Sequence, residues 1–193
     1  MNHHFLDMGL DNVVNCPIHT LGPSGTSSEY ASKFFHSWMS KNYTNSSHGI
    51  HLNDSYELAR NNIKEMKGIL IVANAYPKIN DFYMDTRLQL LATFLYDTPL
   101  YGIVSNSALP QRPLSIATHP APIPLIEELL PDGMLIEKII EMPSTSAAAK
   151  AVLSGEADVA LTTEIAAKLH KLKFISRTRP IHMLWSVFAS HTQ

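Results

Sequence analysis

Short apolar runs alternate with amphipathic segments along most of this chain. Runs such as Ile69–Ala73 are typical of strands buried on both faces, whereas residues 28–41 repeat apolar side chains at helical spacing. Strands are predicted at 13–21, 50–52, 69–73, 99–104, 114–117, 134–141, 158–161 and 181–189. Helices are predicted at 28–41, 53–68, 85–95, 123–130, 147–153 and 165–169, with a loop at 42–49. The alternation predicts an α/β fold with a parallel or mixed sheet covered on both faces.

Two clusters of hydroxyl side chains follow predicted strands. The first, Thr26-Ser27-Ser28, comes after the turn at residues 22–25, and the second is Ser144-Thr145-Ser146. Glycine lets the backbone approach a ligand, and hydroxyls at a helix N-terminus combine with free N–H groups to bind anions. Two helix N-termini facing a common cleft would suit a ligand with two carboxylates. Taken alone, the glycine turn is interpreted equally well as a capped β-to-α turn without a ligand.

Composition and charge exclude several classes of function. The net charge of −2 gives no indication of a nucleic-acid partner. A single cysteine, Cys16, rules out an intramolecular disulfide, and the ten histidines show no metal-ligand spacing, so we expect no metal or other cofactor. Residues 1–15 lack a signal-peptide pattern, and no apolar run approaches the length of a membrane span. The sequence therefore predicts a soluble, cytoplasmic protein.

Four motifs, in order and spacing, make the chain resemble the catalytic domain of prephenate dehydratases over roughly residues 18–176. The family's Gly-Pro-x-Gly-Thr turn is similar to residues 22–27, and its Ser-His-Pro strand end resembles Thr118-His119-Pro120. Its Ser-Thr-x-x-Ala-Ala segment is similar to residues 144–149, and a later alanine- and leucine-rich pattern resembles residues 160–172.

This resemblance implies the fold of type 2 periplasmic-binding proteins. Two α/β lobes with mixed sheets would enclose a ligand cleft between them. The first lobe would combine residues 1–78 with 170–193, and the second would be residues 79–169. No regulatory ACT domain is expected.

The chain departs from the dehydratase pattern at positions that carry chemistry. The family's Glu-Asn-Ser becomes Ala73-Asn74-Ala75, and its glutamines after Ser-His-Pro fall on Ala121 and Leu125. The Thr-Arg-Phe signature, whose threonine is assigned as the acid that expels the ring hydroxyl, is missing from the last predicted strand. The chain is therefore most similar to the short, ACT-less, non-aromatising prephenate decarboxylases of bacilysin-type antibiotic biosynthesis.

The resemblance and the chemistry of a dianionic substrate together predict the site residues. Arginine binds carboxylates in a bidentate manner, and we choose Arg87 first among the arginines, the alternative being a solvated surface residue. The predicted substrate ligands are Ser24, Gly25, Thr26, Ser27, Asn74, Arg87, Ser144, Thr145 and Ser146. The candidate proton donors are His119, Tyr76 and Tyr83, which are otherwise explained as a turn histidine and two partly buried tyrosines.

Three functions are compatible with the sequence. The leading hypothesis is decarboxylation of prephenate with retention of the ring hydroxyl, giving a precursor of a non-proteinogenic amino acid. The second is an ordinary prephenate dehydratase that uses a relocated threonine such as Thr178. The third is a non-catalytic cytoplasmic protein that binds a small carboxylate. In each, the partner is a small dicarboxylate, with neither nucleic acid nor membrane, and the protein is compatible with a homo-oligomer.

Overall fold

The computed structural model of this protein describes residues 5–43, 48–106 and 108–190. The chain divides into two compact units. The first unit comprises the described parts of Met1–Gly22, Ser28–Asp97 and His182–Gln193, and the second comprises Pro23–Ser27 and the described part of Thr98–Ile181. Each unit is built around its own sheet.

The described residues form eleven strands and six α-helices, and a short 3₁₀ helix, Leu10–Val13. The strands are β1 (Phe5–Asp7), β2 (Ile18–Leu21), β3 (Ile50–Asn53), β4 (Ile69–Ala73), β5 (Leu88–Leu95), β6 (Tyr101–Ser105), β7 (Leu114–Thr118), β8 (Ile136–Glu141), β9 (Val159–Thr163), β10 (Lys173–Phe174) and β11 (Leu184–Ser190). The helices are α1 (Ser27–Asn42), α2 (Tyr56–Met66), α3 (Asn80–Tyr83), α4 (Leu125–Leu129), α5 (Thr145–Ser154) and α6 (Glu164–Leu169).

The sheet of the first unit has the strand order β1-β5-β11-β4-β2-β3. β2 is parallel to β3 and β4, whereas β11 is antiparallel to both β4 and β5, so the sheet is mixed. Aromatic side chains fill one of its two cores, where Phe35, Phe94 and Trp185 are fully buried. A second core contains Tyr56, Phe82 and Phe188.

The sheet of the second unit has the strand order β10-β6-β9-β7-β8. β7 is parallel to β8 and β9, and β6 is antiparallel to β9 and β10. Alanines of α5 pack on this sheet, and the small side chains allow close approach of the helix to the strands. This close packing brings the N-terminus of α5 to the end of β9, where the candidate site of this unit lies.

The structure corrects one predicted element and moves several boundaries. Residues 85–95, predicted as a helix, contain strand β5, which pairs with β1 on one side and β11 on the other. The run Leu88–Leu95 has few polar residues, and a short apolar run alone does not distinguish a strand from a buried helix. The predicted strand at 13–21 shortens to Ile18–Leu21. The predicted loop at 42–49 lies partly outside the described residues.

The unit boundaries also differ from those predicted. The second unit contains Thr98–Ile181 rather than 79–169. Residues 79–97 stay with the first unit because β5 belongs to its sheet. Residues 170–181 stay with the second unit because β10 pairs with β6 and Arg179 forms an isolated bridge with Tyr101.

Candidate active site

The turn Pro23–Ser27 lies against the end of strand β9 in the second unit. Gly25 has a φ of +93°, which non-glycine residues rarely adopt, and it is buried. Thr163 donates a hydrogen bond from Oγ1 to the carbonyl oxygen of Gly25 over 2.9 Å. A Cβ at Gly25 would lie 3.4 Å from the Cα of Ala166 and 3.5 Å from the Oγ of Ser146. These are ordinary van der Waals distances, so glycine is needed here for its conformation rather than for space.

The Gly25 turn meets the second predicted hydroxyl cluster, residues 144–146, at this point. Ser144 is the N-cap of α5, and its Oγ accepts a hydrogen bond of 3.0 Å from the backbone N–H of Ala147. Thr145 and Ser146 are buried, and the Oγ of Ser146 lies next to the Gly25 turn. The structure therefore brings residues 144–146 and the turn together within the second unit. The arrangement of hydroxyls at a helix N-terminus suits an anion.

The remaining turn residues differ in exposure. Ser24 is exposed and Thr26 is buried. Ser27 begins α1, and its Oγ lies 2.9 Å from the hydroxyl of Tyr101 at the start of β6. Sequence reasoning missed Tyr101, because nothing in its local pattern separates it from an ordinary core aromatic.

Sequence reasoning also missed Thr163 and His170, which lie next to Gly25 and Ser146 in this hydroxyl-rich surface. Thr163 bonds Gly25 and also caps α6, since its Oγ1 accepts from the backbone N–H of Ala166 over 3.2 Å. The Nε2 of His170 lies 3.4 Å from the Oγ of Ser146, and burial, together with Lys150, lowers the pKa of His170. A signal for Thr163 was present, because Thr162-Thr163 is a third group of hydroxyl side chains, directly after the predicted strand 158–161.

His119 follows strand β7, as predicted. Its Nδ1 accepts a hydrogen bond of 3.2 Å from the backbone N–H of Ala121, so Nε2 carries the proton in the neutral ring. Burial lowers the pKa of His119, against a smaller opposite effect of Glu141. The neutral form is therefore favoured at pH 7, and neutral imidazole is a weak proton donor.

In the first unit, Asn74, Tyr83 and Ser186 form a closed ring of hydrogen bonds. Asn74 follows β4, Tyr83 ends α3, and Ser186 is fully buried in β11. The Oγ of Ser186 donates to Oδ1 of Asn74 over 2.7 Å, and the Nδ2 of Asn74 donates to the hydroxyl of Tyr83 over 3.2 Å. Because Ser186 has one proton, which it gives to Asn74, the 2.6 Å bond between Tyr83 and Ser186 has Tyr83 as its donor.

This three-residue ring contains two predicted site residues and one that was missed. The sequence signal for Ser186 was a hydroxyl between the apolar residues Trp185 and Val187 of the strand Leu184–Ser190, whose other polar residue is the terminal Ser190. A buried hydroxyl needs a partner, so such a position indicates a polar network.

Tyr76 and Arg87 have other partners in the first unit. The hydroxyl of Tyr76 donates to Oε1 of Glu57 over 2.8 Å, and burial together with this carboxylate raises the pKa of Tyr76 strongly. Arg87 precedes β5 rather than starting a helix, and its side chain is 70% exposed. Its Nε and Nη2 bind the carboxylate of Asp85 over 3.0 and 3.2 Å. The Asp85 carboxylate therefore occupies the Nε/Nη2 edge of the guanidinium.

Among the described residues, no three histidine, cysteine or acidic side chains are grouped so as to hold a metal ion. Within the same part of the chain, the helices are too short or too polar to cross a membrane.

Comparison with solved structures identifies the fold. Over 92% of this chain, it matches prephenate dehydratase from Arthrobacter aurescens in complex with L-Phe, with a TM-score of 0.62 and 13% identity, and it spans 61% of that protein. The periplasmic VFT2 domain of Bordetella pertussis BvgS matches 94% of this chain, with a TM-score of 0.56, 13% identity and 83% of its own length. The fold is that of the type 2 periplasmic-binding-protein-like α/β proteins, which confirms the predicted class.

Comparison with known sequences identifies the family. A prephenate decarboxylase of Planktothrix agardhii (strain NIVA-CYA 126/8) is 39% identical over 176 residues, which cover 88% of this chain and 85% of the relative. A prephenate decarboxylase of Bacillus subtilis is 37% identical over 178 residues, covering 89% and 85%. This chain belongs to the prephenate decarboxylase family, whereas no protein-family model matches it.

Proposed function

We propose that this protein decarboxylates prephenate without aromatising its ring, and that the product, a dihydro-4-hydroxyphenylpyruvate, keeps the ring hydroxyl. The observation that carries this proposal is the 39% identity, over 88% of the chain, to the prephenate decarboxylase of Planktothrix agardhii. Ala73 and Ala75, on either side of Asn74, add support, because the acid and hydroxyl of the dehydratase pattern are missing there.

The chemistry requires one proton donor and no leaving hydroxyl. The bond between the quaternary ring carbon and its carboxylate breaks, carbon dioxide leaves, and the electron pair moves into the ring diene. Another ring carbon then takes up one proton. A dehydratase loses the same carboxylate but must also protonate the departing hydroxyl. A site without an acid at that hydroxyl therefore favours the product that retains it.

Carboxylate binding is assigned to the hydroxyl-rich surface of the second unit. The proposed ligands there are Ser24, Gly25, Thr26, Ser27, Ser144, Thr145 and Ser146. Their hydroxyls, and the backbone N–H groups at the start of α5, are donors that suit an anion. In the first unit, Asn74 and Arg87 keep their proposed roles, and Arg87 would bind a substrate carboxylate through the N–H groups that Asp85 does not use.

The geometry of Thr178 argues against the dehydratase alternative. Thr178 is exposed and precedes Arg179, which bridges Tyr101 in the second unit. The guanidinium of Arg179 is paired with Glu128 over 2.6 Å. Thr178-Arg179 thus lies outside β11, the last strand, where the resemblance would place the dehydratase threonine.

Incubation of the purified protein with prephenate tests the proposal. The expected product has lost carbon dioxide but kept the elements of water, by mass spectrometry, and lacks the ultraviolet spectrum of phenylpyruvate. Thr178→Ala is expected to leave this activity unchanged. Phenylpyruvate formation that depends on Thr178 would indicate a dehydratase instead. Thermal stabilisation by prephenate with no turnover would indicate a binding protein.

The proposal extends to the setting in which the enzyme acts. We expect a cytoplasmic enzyme that supplies a pathway to a non-proteinogenic amino acid or antibiotic, works on a small dicarboxylate and has no nucleic-acid partner. Association into a homo-oligomer is part of this proposal, and sedimentation of the purified protein measures it directly.

A further inference from the structure

The ring formed by Asn74, Tyr83 and Ser186 holds a tyrosine hydroxyl in a fixed place. All three donor–acceptor distances, 2.6, 2.7 and 3.2 Å, lie in the usual range of protein hydrogen bonds. The aromatic ring of Tyr83 is also fixed, because it packs edge-on against Phe188 with centroids 5.2 Å apart. Tyr83 as a whole remains 38% exposed, although its hydroxyl bonds the buried Ser186.

We propose that Tyr83 donates the proton to the ring carbon after decarboxylation, and that Ser186 and Asn74 are positioning residues that hold its hydroxyl and stabilise the tyrosinate that remains. This inference rests on the proposed function and deepens it, because it selects one donor from three candidates. It also assigns a role to Ser186, which the sequence analysis did not select as a site residue.

The other two candidates are less suited to give a proton. Tyr76 already donates its proton to the carboxylate of Glu57 over 2.8 Å. His119 accepts a backbone N–H at Nδ1, and its burial favours the neutral ring. The proton of Tyr83 is held only by a neutral serine oxygen, which is a weaker acceptor than a carboxylate.

The hydrogen bonds among Asn74, Tyr83 and Ser186 can rearrange when the proton is transferred. When Tyr83 gives its proton to the ring carbon, its oxygen becomes an anion that already accepts from Nδ2 of Asn74. The hydroxyl of Ser186 can then turn from Oδ1 of Asn74 to the tyrosinate, which thereby gains a second donor. Hydrogen bonds to a charged acceptor are about twice as strong as neutral ones. Water later returns the proton to Tyr83, and the hydroxide that remains combines with the released carbon dioxide as bicarbonate, so the cycle balances without a further reagent.

The test measures both rate and stereochemistry. Tyr83→Phe is expected to lower kcat by roughly 100-fold or more, the usual size of a general acid's contribution, with little change in KM. With the wild-type protein in D₂O, nuclear magnetic resonance should show deuterium on one face of one ring carbon. In Tyr83→Phe, water must deliver the proton, and the product should become a mixture of isomers.

Ser186 is tested by a pair of variants. Ser186→Ala is expected to lower kcat by about 10- to 100-fold and to broaden the isomer mixture, because one donor to the tyrosinate is lost. Ser186→Thr keeps a hydroxyl and should recover most of the rate and selectivity. A purely structural role for Ser186 would change stability without changing the isomer ratio.

Tyr43→Phe is the control, since the hydroxyl of Tyr43 donates a hydrogen bond to Asp7 and not to Asn74, Tyr83 or Ser186. It should keep both wild-type rate and wild-type isomer ratio. A Tyr83→Phe enzyme that folds and gives the wild-type rate with a single isomer would overturn the inference while leaving the proposed function intact. If the wild-type protein gives no carbon dioxide from prephenate, the proposed function itself fails.

Discussion

Thr163 donates a hydrogen bond to the carbonyl oxygen of Gly25 across 138 residues of sequence. This bond joins the turn before α1 to the end of β9, and the same oxygen of Thr163 caps α6. One buried hydroxyl thus connects three parts of the second unit. Its removal should affect both stability and the proposed carboxylate surface.

Thr163→Val keeps the shape of the side chain and removes both hydrogen bonds. Unfolding free energy should fall by about 1–3 kcal/mol, because a buried carbonyl loses its partner. KM for prephenate should rise as the turn loosens, measured by steady-state kinetics. Thr20→Val is a matched control in the first unit, where Thr20 donates to the carbonyl of Ile71 over 2.8 Å. Equal changes of KM in both variants would show that the Thr163 bond has no special part in binding.

Gly25→Ala should lower stability by about 1–3 kcal/mol, since a side chain at this positive φ is strained. KM should also rise, because relief of this strain would shift the turn that carries the proposed ligands Ser24, Thr26 and Ser27. Gly133→Ala is the control: Gly133 has a φ of +79°, but a Cβ there meets nothing within 4 Å. It should lose stability and keep its KM. A Gly25→Ala enzyme with wild-type KM would contradict the proposed role of the turn.

Asp85 should make the first unit sensitive to acid. Its carboxylate, 5% exposed, faces Arg87, Lys64 and Arg60, and the hydrogen bonds of Arg87 are the main reason that the pKa of Asp85 lies well below its usual range. A depressed carboxyl pKa contributes stability that is complete above about pH 4 and is lost as the pH falls further. Asp85→Asn should lower the free energy of unfolding at pH 7, because the cations around it lose their charged partner.

Unfolding measured between pH 7 and pH 2.5 checks this expectation. The wild-type protein should lose stability steeply below pH 4, and the Asp85→Asn curve should be flatter there. Parallel curves for the two proteins would exclude Asp85 as a source of the acid sensitivity.

His19 should produce a second pH dependence at higher pH. It is 1% exposed in β2, stacks on His51 of β3 with centroids 4.9 Å apart, and has no hydrogen-bond partner for either ring nitrogen among the described residues. Burial is the main cause that lowers the pKa of His19. His51 lowers this pKa further, whereas Asn53 raises it. The unfolded chain therefore binds the proton more readily, and stability should be lost as the pH falls below about 6.5.

His19→Leu should remove part of this dependence. Unfolding by urea at pH 7.5 and at pH 5.5 should show a smaller difference for the variant than for the wild-type protein. An unchanged difference would mean that folding leaves the pKa of His19 where it is in the unfolded chain.

Much of the fold could be predicted because its signals are local. Ser144 caps α5 as the hydroxyl cluster predicted, and β4 occupies the predicted residues 69–73. β5 was missed because its apolar run fits a helix as well as a strand. Only its pairing with β1 and β11 shows that this run is a strand. Pairing between distant strands leaves little trace in local periodicity.

The candidate site was predictable only in part, for the same reason. Asn74 and Tyr83 were chosen for their chemistry, but their connection through Ser186 spans 112 and 103 residues of sequence. The meeting of Gly25 and Ser146 likewise arises from packing of α5 and α6 in the second unit. Sequence patterns therefore indicated which residue types matter, whereas the partners that fix their protons became visible only in the structure.

The position of β11 between β5 and β4 has a consequence for biosynthesis on the ribosome. Residues 184–190 are made late, yet they form an interior strand of the first unit's sheet. The sheet of the first unit cannot be completed until these residues have left the ribosome. The strands of the second unit all lie between residues 101 and 174, so they leave the ribosome sooner. Because a domain folds once its own strands are available, the second unit should fold first during translation. During translation, the edges of β5 and β4 that later pair with β11 would be exposed. Chaperones could bind these edges until β11 is made.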